Sequence, residues 1–288
     1  MLPPLPPRHL VLEAFREEIL PTFIATTAIL GHSLWLSGRK NSLLATGYAL
    51  MAGLIAGNAF RGLIPLKPEK ATWHYLLWIA LGMTLLGTAL RTVKLRFDVL
   101  LLFKVVLATI ASWFLVPAEY QENHQWVLEV FAVTVVLEWL TLERVCSRVN
   151  GFSIPLGLSM TFGGASIILL YAHSGLFSDI ATVLAVSLFG IACLAMFADI
   201  DCGGIAPAMA VLLPGLLLAA HYETYSEVEL KSFLLVALSP LAWLLLLIWP
   251  LNRIRNHWIQ LILSQLFILI PVVLAVIFAM QAEELDFG

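Results

Sequence analysis

The sequence predicts an all-α, polytopic transmembrane bundle of nine to ten spans, with short loops and no soluble domain. Three observations carry that expectation. The chain is 60% hydrophobic and only 12% charged, about half the charge of an average soluble domain. Its mean hydropathy is +0.93. Ten stretches approach or exceed the roughly 20 apolar residues that cross about 30 Å of hydrocarbon, and polar or basic residues separate them.

The elements follow in chain order. Residues 1–19 read as a Pro-rich lead-in (Pro3, Pro4, Pro6, Pro7) and then a short interfacial amphipathic helix with Val11, Phe15 and Ile19 at helical spacing. No apolar core with a small-residue cleavage site follows, so a cleavable signal is not expected. One transmembrane domain occupies residues 20–280. Its spans fall near 20–37, 42–64, 72–90, 98–117, 124–142, 153–173, 177–199, 203–222, 230–250 and 257–280. The first is the weakest, since Pro21, Thr22, Thr26, Thr27, His32 and Ser33 dilute it, and a re-entrant segment is its alternative reading. Residues 281–288 form an acidic tail.

Basic residues near helix ends indicate the cytoplasmic side. Arg91, Lys94 and Arg96 precede the fourth span, Arg144 and Arg148 follow the fifth, and Arg253 and Arg255 separate the ninth from the tenth. The alternate connections are acidic: Glu119 and Glu122, then Glu223, Glu227 and Glu229, then Glu283, Glu284 and Asp286. This alternation puts the C-terminus outside, in a bacterial-type plasma membrane. Arg61, Lys67 and Lys70 break the pattern. No internal repeat is visible.

The last three spans each hold a proline near the midpoint: Pro214, Pro240 and Pro271. Each removes the N–H that would answer a carbonyl four residues earlier (Ala210, Val236, Phe267), where no water can substitute. Pro207, Pro214 and His221 recur every seven residues on one face of the eighth span. Ser239 adjoins Pro240, and Gln260, Ser264 and Pro271 share a face of the tenth. These residues describe a polar seam at kinked helices, a setting in which membrane proteins bind solutes. The alternative is that the kinks only serve packing.

Ionisable groups at membrane depth are functional candidates because burial there is costly. Lys104 and Glu138 sit at similar depth in adjacent antiparallel spans, within reach of each other; the readings are a structural ion pair, two snorkelling side chains that reach the headgroups, or a charge-compensated site. Glu129 faces the other side of the same helix, nine residues away, so the two carboxylates form no dyad. His173 and His221 are its potential partners. Glycine rows at Ala49, Gly53 and Gly57 and at Gly157, Thr161 and Gly164 predict close helix contacts, within the chain or between subunits.

No cofactor or metal site is expected. Cys146, Cys193 and Cys202 match no disulfide or zinc spacing. Asp199 and Asp201, in the run FADIDCGG, are weak candidates for a divalent cation, with an N-cap role for Asp201 as the alternative. Gly163, Gly164 and Ser166 lack the spacing of a serine-hydrolase elbow. The net charge of −3 and its dispersed carriers give no sign of nucleic-acid binding. The expected partners are the lipid bilayer and a small-molecule or lipid ligand. The leading expectation is a small-solute or lipid transporter with its site at the kinked C-terminal helices. The alternatives are a membrane-embedded enzyme acting on lipid-linked substrates and a non-catalytic assembly or sensor subunit.

Overall fold

A computed structural model describes residues 13–37, 42–60, 73–93, 96–117, 125–149, 151–198, 200–223, 228–248 and 256–286. They form helices, with no strand among the described residues. The helix α1 begins as a π-helical turn (Phe15–Ile19) and runs straight into an α-helix (Leu20–Ser37). Then come α2 (Ser42–Phe60), α3 (Trp73–Thr92), α4 (Phe97–Leu115), α5 (Gln125–Cys146), α6 (Ser153–Tyr171) and α7 (Gly175–Phe197). A 3-10 turn (Cys202–Ile205) leads into α8 (Ala206–Glu223). Span nine is α9 (Leu230–Ala237) followed by a 3-10 segment (Ser239–Leu247), and α10 covers His257–Asp286. Nine described helices are long and apolar enough to cross a membrane, or ten when the broken ninth is counted as one span. Helix α1, including its weak first half, is among them.

Helix α8 is the axis of the bundle. Its membrane-length stretch is 94% buried, against 17% to 61% for the other long spans. It has no polar stripe, only Ala, Leu, Val, Met, Pro and Gly until His221, which is how a helix surrounded by other helices reads. Helices α3 and α5 flank it most closely, with α4 and α9 beside them. On one side α1 and α2 pack together and against α7, and α6 lies between α7 and α10.

Small residues set the closest approaches, and all of these lie within the chain. A Cβ on Gly53 would overlap the hydroxyls of Thr26 and Ser187, and one on Gly57 would overlap Thr22. Helices α1, α2 and α7 therefore meet through the α2 glycine row. Gly157 makes room for Trp243 and Gln265, and Gly164 for Val272, joining α6 to α10 and to the 3-10 segment. Backbones approach this closely in lipid because van der Waals packing replaces the hydrophobic drive.

The three midpoint prolines have different consequences. Pro214 and Pro271 lie inside helices that continue past them. Pro240 instead coincides with a break: α9 ends at Ala237, and the chain resumes as a 3-10 helix after a bend of about 40°. Without an N–H at Pro240 the α-helical ladder cannot answer Val236. The chain changes to shorter bonds, with Leu241 N–H donating to Leu238 C=O at 3.0 Å.

Candidate functional site

Four of the described arginines, Arg91, Arg96, Arg144 and Arg148, lie at the end of the bundle where α3 and α5 finish and α4 starts. This end is called the basic end below. Arg61, Lys67, Lys70, Lys94, Glu119, Glu122, Glu227, Arg253 and Arg255 lie outside the described residues.

Lys104 of α4 is buried to 1% exposure and forms an ion pair, but with Glu143 rather than Glu138. The correction follows from helix geometry. Side chains lean toward their own helix N-terminus; Lys104 therefore leans toward the basic end, where Glu143 sits near the finish of α5. Glu138, on the antiparallel helix, leans the other way. The ammonium also lies 5.1 Å from the centroid of the Trp139 ring, and the Trp139 indole N–H donates to Glu143 at 2.8 Å. Glu143 escaped the sequence reading because α5 extends to Cys146, a turn past its expected end. The i, i+4 spacing of Trp139 and Glu143 was the available signal.

Asp201 is tied into the turn that begins α8. Its carboxylate accepts the N–H of Gly203 at 2.8 Å, its own N–H donates to the Ser42 hydroxyl at 3.1 Å, and its carbonyl accepts from Thr46 at 3.2 Å. This is an N-cap. Asp199 lies outside the described residues, and no group of three His, Cys, Asp or Glu that could hold a metal ion occurs among those described. Arg91 lies directly over Gly203, where a Cβ would overlap its guanidinium.

The polar residues of the last three spans do not form one seam. Ser264 belongs to a buried knot in which its hydroxyl meets that of Ser153 at 2.7 Å and its carbonyl accepts the Trp243 indole N–H at 2.8 Å. Gln265 donates to the Ser153 carbonyl at 2.9 Å. Gln260 lies elsewhere, lining a cavity of about 380 Å³ at the basic end with Ser153, Phe152 and Trp258. Ser239, beside Pro240, is buried with no hydrogen-bond partner for its hydroxyl among the described residues.

Pro214 and His221 line a second cavity, of about 230 Å³, between α5, α8 and α9. Helix α5 contributes Trp126, Val130, Phe131 and Thr134; α9 contributes Phe233, Leu234, Ala237 and Leu238. The wall is almost wholly apolar. The Thr134 hydroxyl is turned back onto the Val130 carbonyl at 2.8 Å. The His221 ring lies against Tyr222 and Phe233, with centroids 5.2 and 5.4 Å away, and its Nδ1 has no hydrogen-bond partner among the described residues. Several lining residues, among them Trp126, Val130 and Leu234, are about half exposed on the outside of the bundle. The cavity thus opens sideways, toward the membrane.

Glu129 is exposed, and no hydrogen bond or ion pair joins it to His173 or His221 among the described residues. His173 has another role. It takes φ of 54° at the end of α6, and the next N–H, of Ser174, closes on the Leu169 carbonyl at 2.9 Å, so the histidine stands where a left-handed helix cap is needed. Glu138 is fully buried, and neither carboxyl oxygen has a hydrogen-bond partner among the described residues.

Comparison of the chain with family models, with curated proteins and with solved structures finds no match in any of the three.

Proposed function

We propose that this multi-pass membrane protein is a carrier of small amphipathic solutes or lipids, and that the cavity between α5, α8 and α9 is its binding site. One observation carries the reading: an apolar hollow of about 230 Å³ that opens toward the bilayer and is walled by a broken span. That volume exceeds the ~150 Å³ apolar cavity that accepts benzene and falls below the ~300 Å³ at which drug-sized pockets begin. It suits one short alkyl chain or one ring entering from the lipid phase. The break at Leu238–Pro240, beside the cavity, supplies a point at which the wall can bend. In a bacterial-type plasma membrane the basic end would face the cytoplasm.

The enzyme reading has less to rest on at Asp201, whose carboxylate caps the 3-10 turn leading into α8, while the reading's other carboxylate, Asp199, lies outside the described residues. The test is flux and binding in proteoliposomes. Wild-type protein should bind octanol and accelerate its exchange across the bilayer, and Ala237→Leu, which fills the cavity, should abolish both while the protein remains folded. Octanol binding that survives Ala237→Leu, or no binding by wild type, would remove the proposal.

A further inference from the structure

Glu138 continues the cavity's own face. It follows Phe131 by seven residues and Thr134 by four, so it lies within about 20° of Phe131 around α5, about two turns past Phe131 and one past Thr134 toward the basic end. Its side chain leans toward the N-terminus of α5, that is, back toward the turn that carries Thr134. Phe131 lies near Gly215, and Trp139 and Pro207 both lie against Gly87, so Glu138 stands about level with Ala208 of α8, nearly two turns before Pro214 and half a turn before Ala210. There the proline leaves the Ala210 carbonyl without its ladder partner. The 3-10 segment also packs on α5. Its first residue is Ser239, whose buried hydroxyl follows Leu238 of the cavity wall.

Among the described residues the protein brings no cation of its own into contact with Glu138. Lys104 is engaged with Glu143, and no lysine, arginine or histidine forms a hydrogen bond or ion pair with Glu138 among the described residues. A fully buried carboxyl group without a partner is a high-energy arrangement unless something else answers it. Thr134, one turn toward the N-terminus of α5 from Glu138, belongs to the wall of the apolar hollow together with Trp126, Phe131, Tyr222 and Phe233, and aromatic rings attract cations.

We infer that Glu138 is the anchor of an organic-cation site: the ammonium group of an amphipathic amine reaches the Glu138 carboxylate one helical turn past Thr134 of the cavity wall, and its apolar tail fills the hollow between α5, α8 and α9. This deepens the carrier proposal and rests on it. The Ser239 hydroxyl and the Ala210 carbonyl are the neutral acceptors at that depth for the remaining ammonium protons. An anionic or neutral amphiphile of the same length would have the tail contacts and lack the head contact.

The experiment compares radiolabelled octylammonium, octanol and octanoate for binding to the full chain in lipid nanodiscs, with empty nanodiscs as background. Wild type should bind octylammonium about tenfold or more tightly than octanol, and octanoate more weakly than either. Glu138→Gln should retain octanol binding and lose the preference for the ammonium. Equal affinity of wild type for octylammonium and octanol would overturn the cation site while leaving the cavity reading intact, and this result needs no variant to fold. A preference that persists in Glu138→Gln would assign it to the aromatic wall and overturn the role of Glu138. Failure of all three probes to bind would remove both the cavity reading and this inference.

Discussion

Trp139 and Glu143 stand one helical turn apart on α5, and the indole N–H of the first holds the carboxylate of the second at 2.8 Å. That bond presents Glu143 to Lys104, whose ammonium also lies over the Trp139 ring. The three residues form a closed unit between α4 and α5. No oxygen of Glu143 is left without a partner, which is the condition under which a buried ion pair is tolerated.

Removing one member should therefore cost more than removing both. Glu143→Gln leaves the Lys104 charge buried without its counter-ion and is expected to lower stability by about 3 to 5 kcal/mol. The double variant Lys104→Met with Glu143→Met should recover most of that loss. Thermal unfolding in detergent micelles measures both, and a double variant as unstable as the single one would contradict the account.

The approach of α2 to α1 and α7 depends on the absence of a Cβ at Gly53. Gly53→Ala is expected to destabilise by about 1 to 3 kcal/mol through overpacking. Because the overlapping atoms are the hydroxyls of Thr26 and Ser187, adding Thr26→Ala and Ser187→Ala should relieve much of it. A double-mutant cycle with no coupling between these positions would show that the contact is looser than described.

The knot at Ser264 makes a smaller contribution. Hydrogen bonds between membrane helices average about 0.6 kcal/mol in double-mutant cycles, and Ser264→Ala removes the bond to Ser153 while keeping the carbonyl that Trp243 uses. A loss near 0.5 to 1 kcal/mol is expected. Trp243→Ala, by contrast, empties the space that Gly157 makes for the ring and should cost roughly 3 to 5 kcal/mol. Chemical denaturation of the two variants in mixed micelles ranks them.

Pro240→Ala restores the N–H that the α-helical ladder lacks at the break in span nine. The variant should continue α9 through the present bend, with stability changed by no more than about 1 kcal/mol. Spin labels placed at exposed Leu234 and Leu245 would report a change in their separation. Solute flux should fall if the bend moves during transport. An unchanged separation would mean that packing, not Pro240, holds the bend.

Much of this architecture was legible from hydropathy alone. Nine of the ten expected spans coincide with long apolar helices and the remaining one with α9 and the 3-10 segment after it, because a lipid-crossing stretch must be long and apolar in the sequence itself. The glycine rows of α2 and α6 also pointed correctly to close contacts, since a missing Cβ is visible in one dimension. The polar groups were harder. Lys104 and Glu138 were matched by depth, yet their lean in opposite directions along antiparallel helices gives Lys104 to Glu143. The residues shared by the last three spans were grouped by periodicity, but a face is defined only by what packs against it. Ser264 thus meets Ser153 of α6, Gln260 opens onto the basic end, and Pro214 meets α5.

By itself the sequence determined that this is a helical membrane protein, where its spans run and where its helices can break, because each of these depends on the local run of apolar residues and on the missing N–H of proline. Only the tertiary structure decided which charges pair, which proline breaks its helix and where a hollow remains. Those outcomes depend on the rotation of each helix about its own axis and on its neighbours, quantities that arise when the other helices assemble about α8 and that no single stretch of the chain encodes.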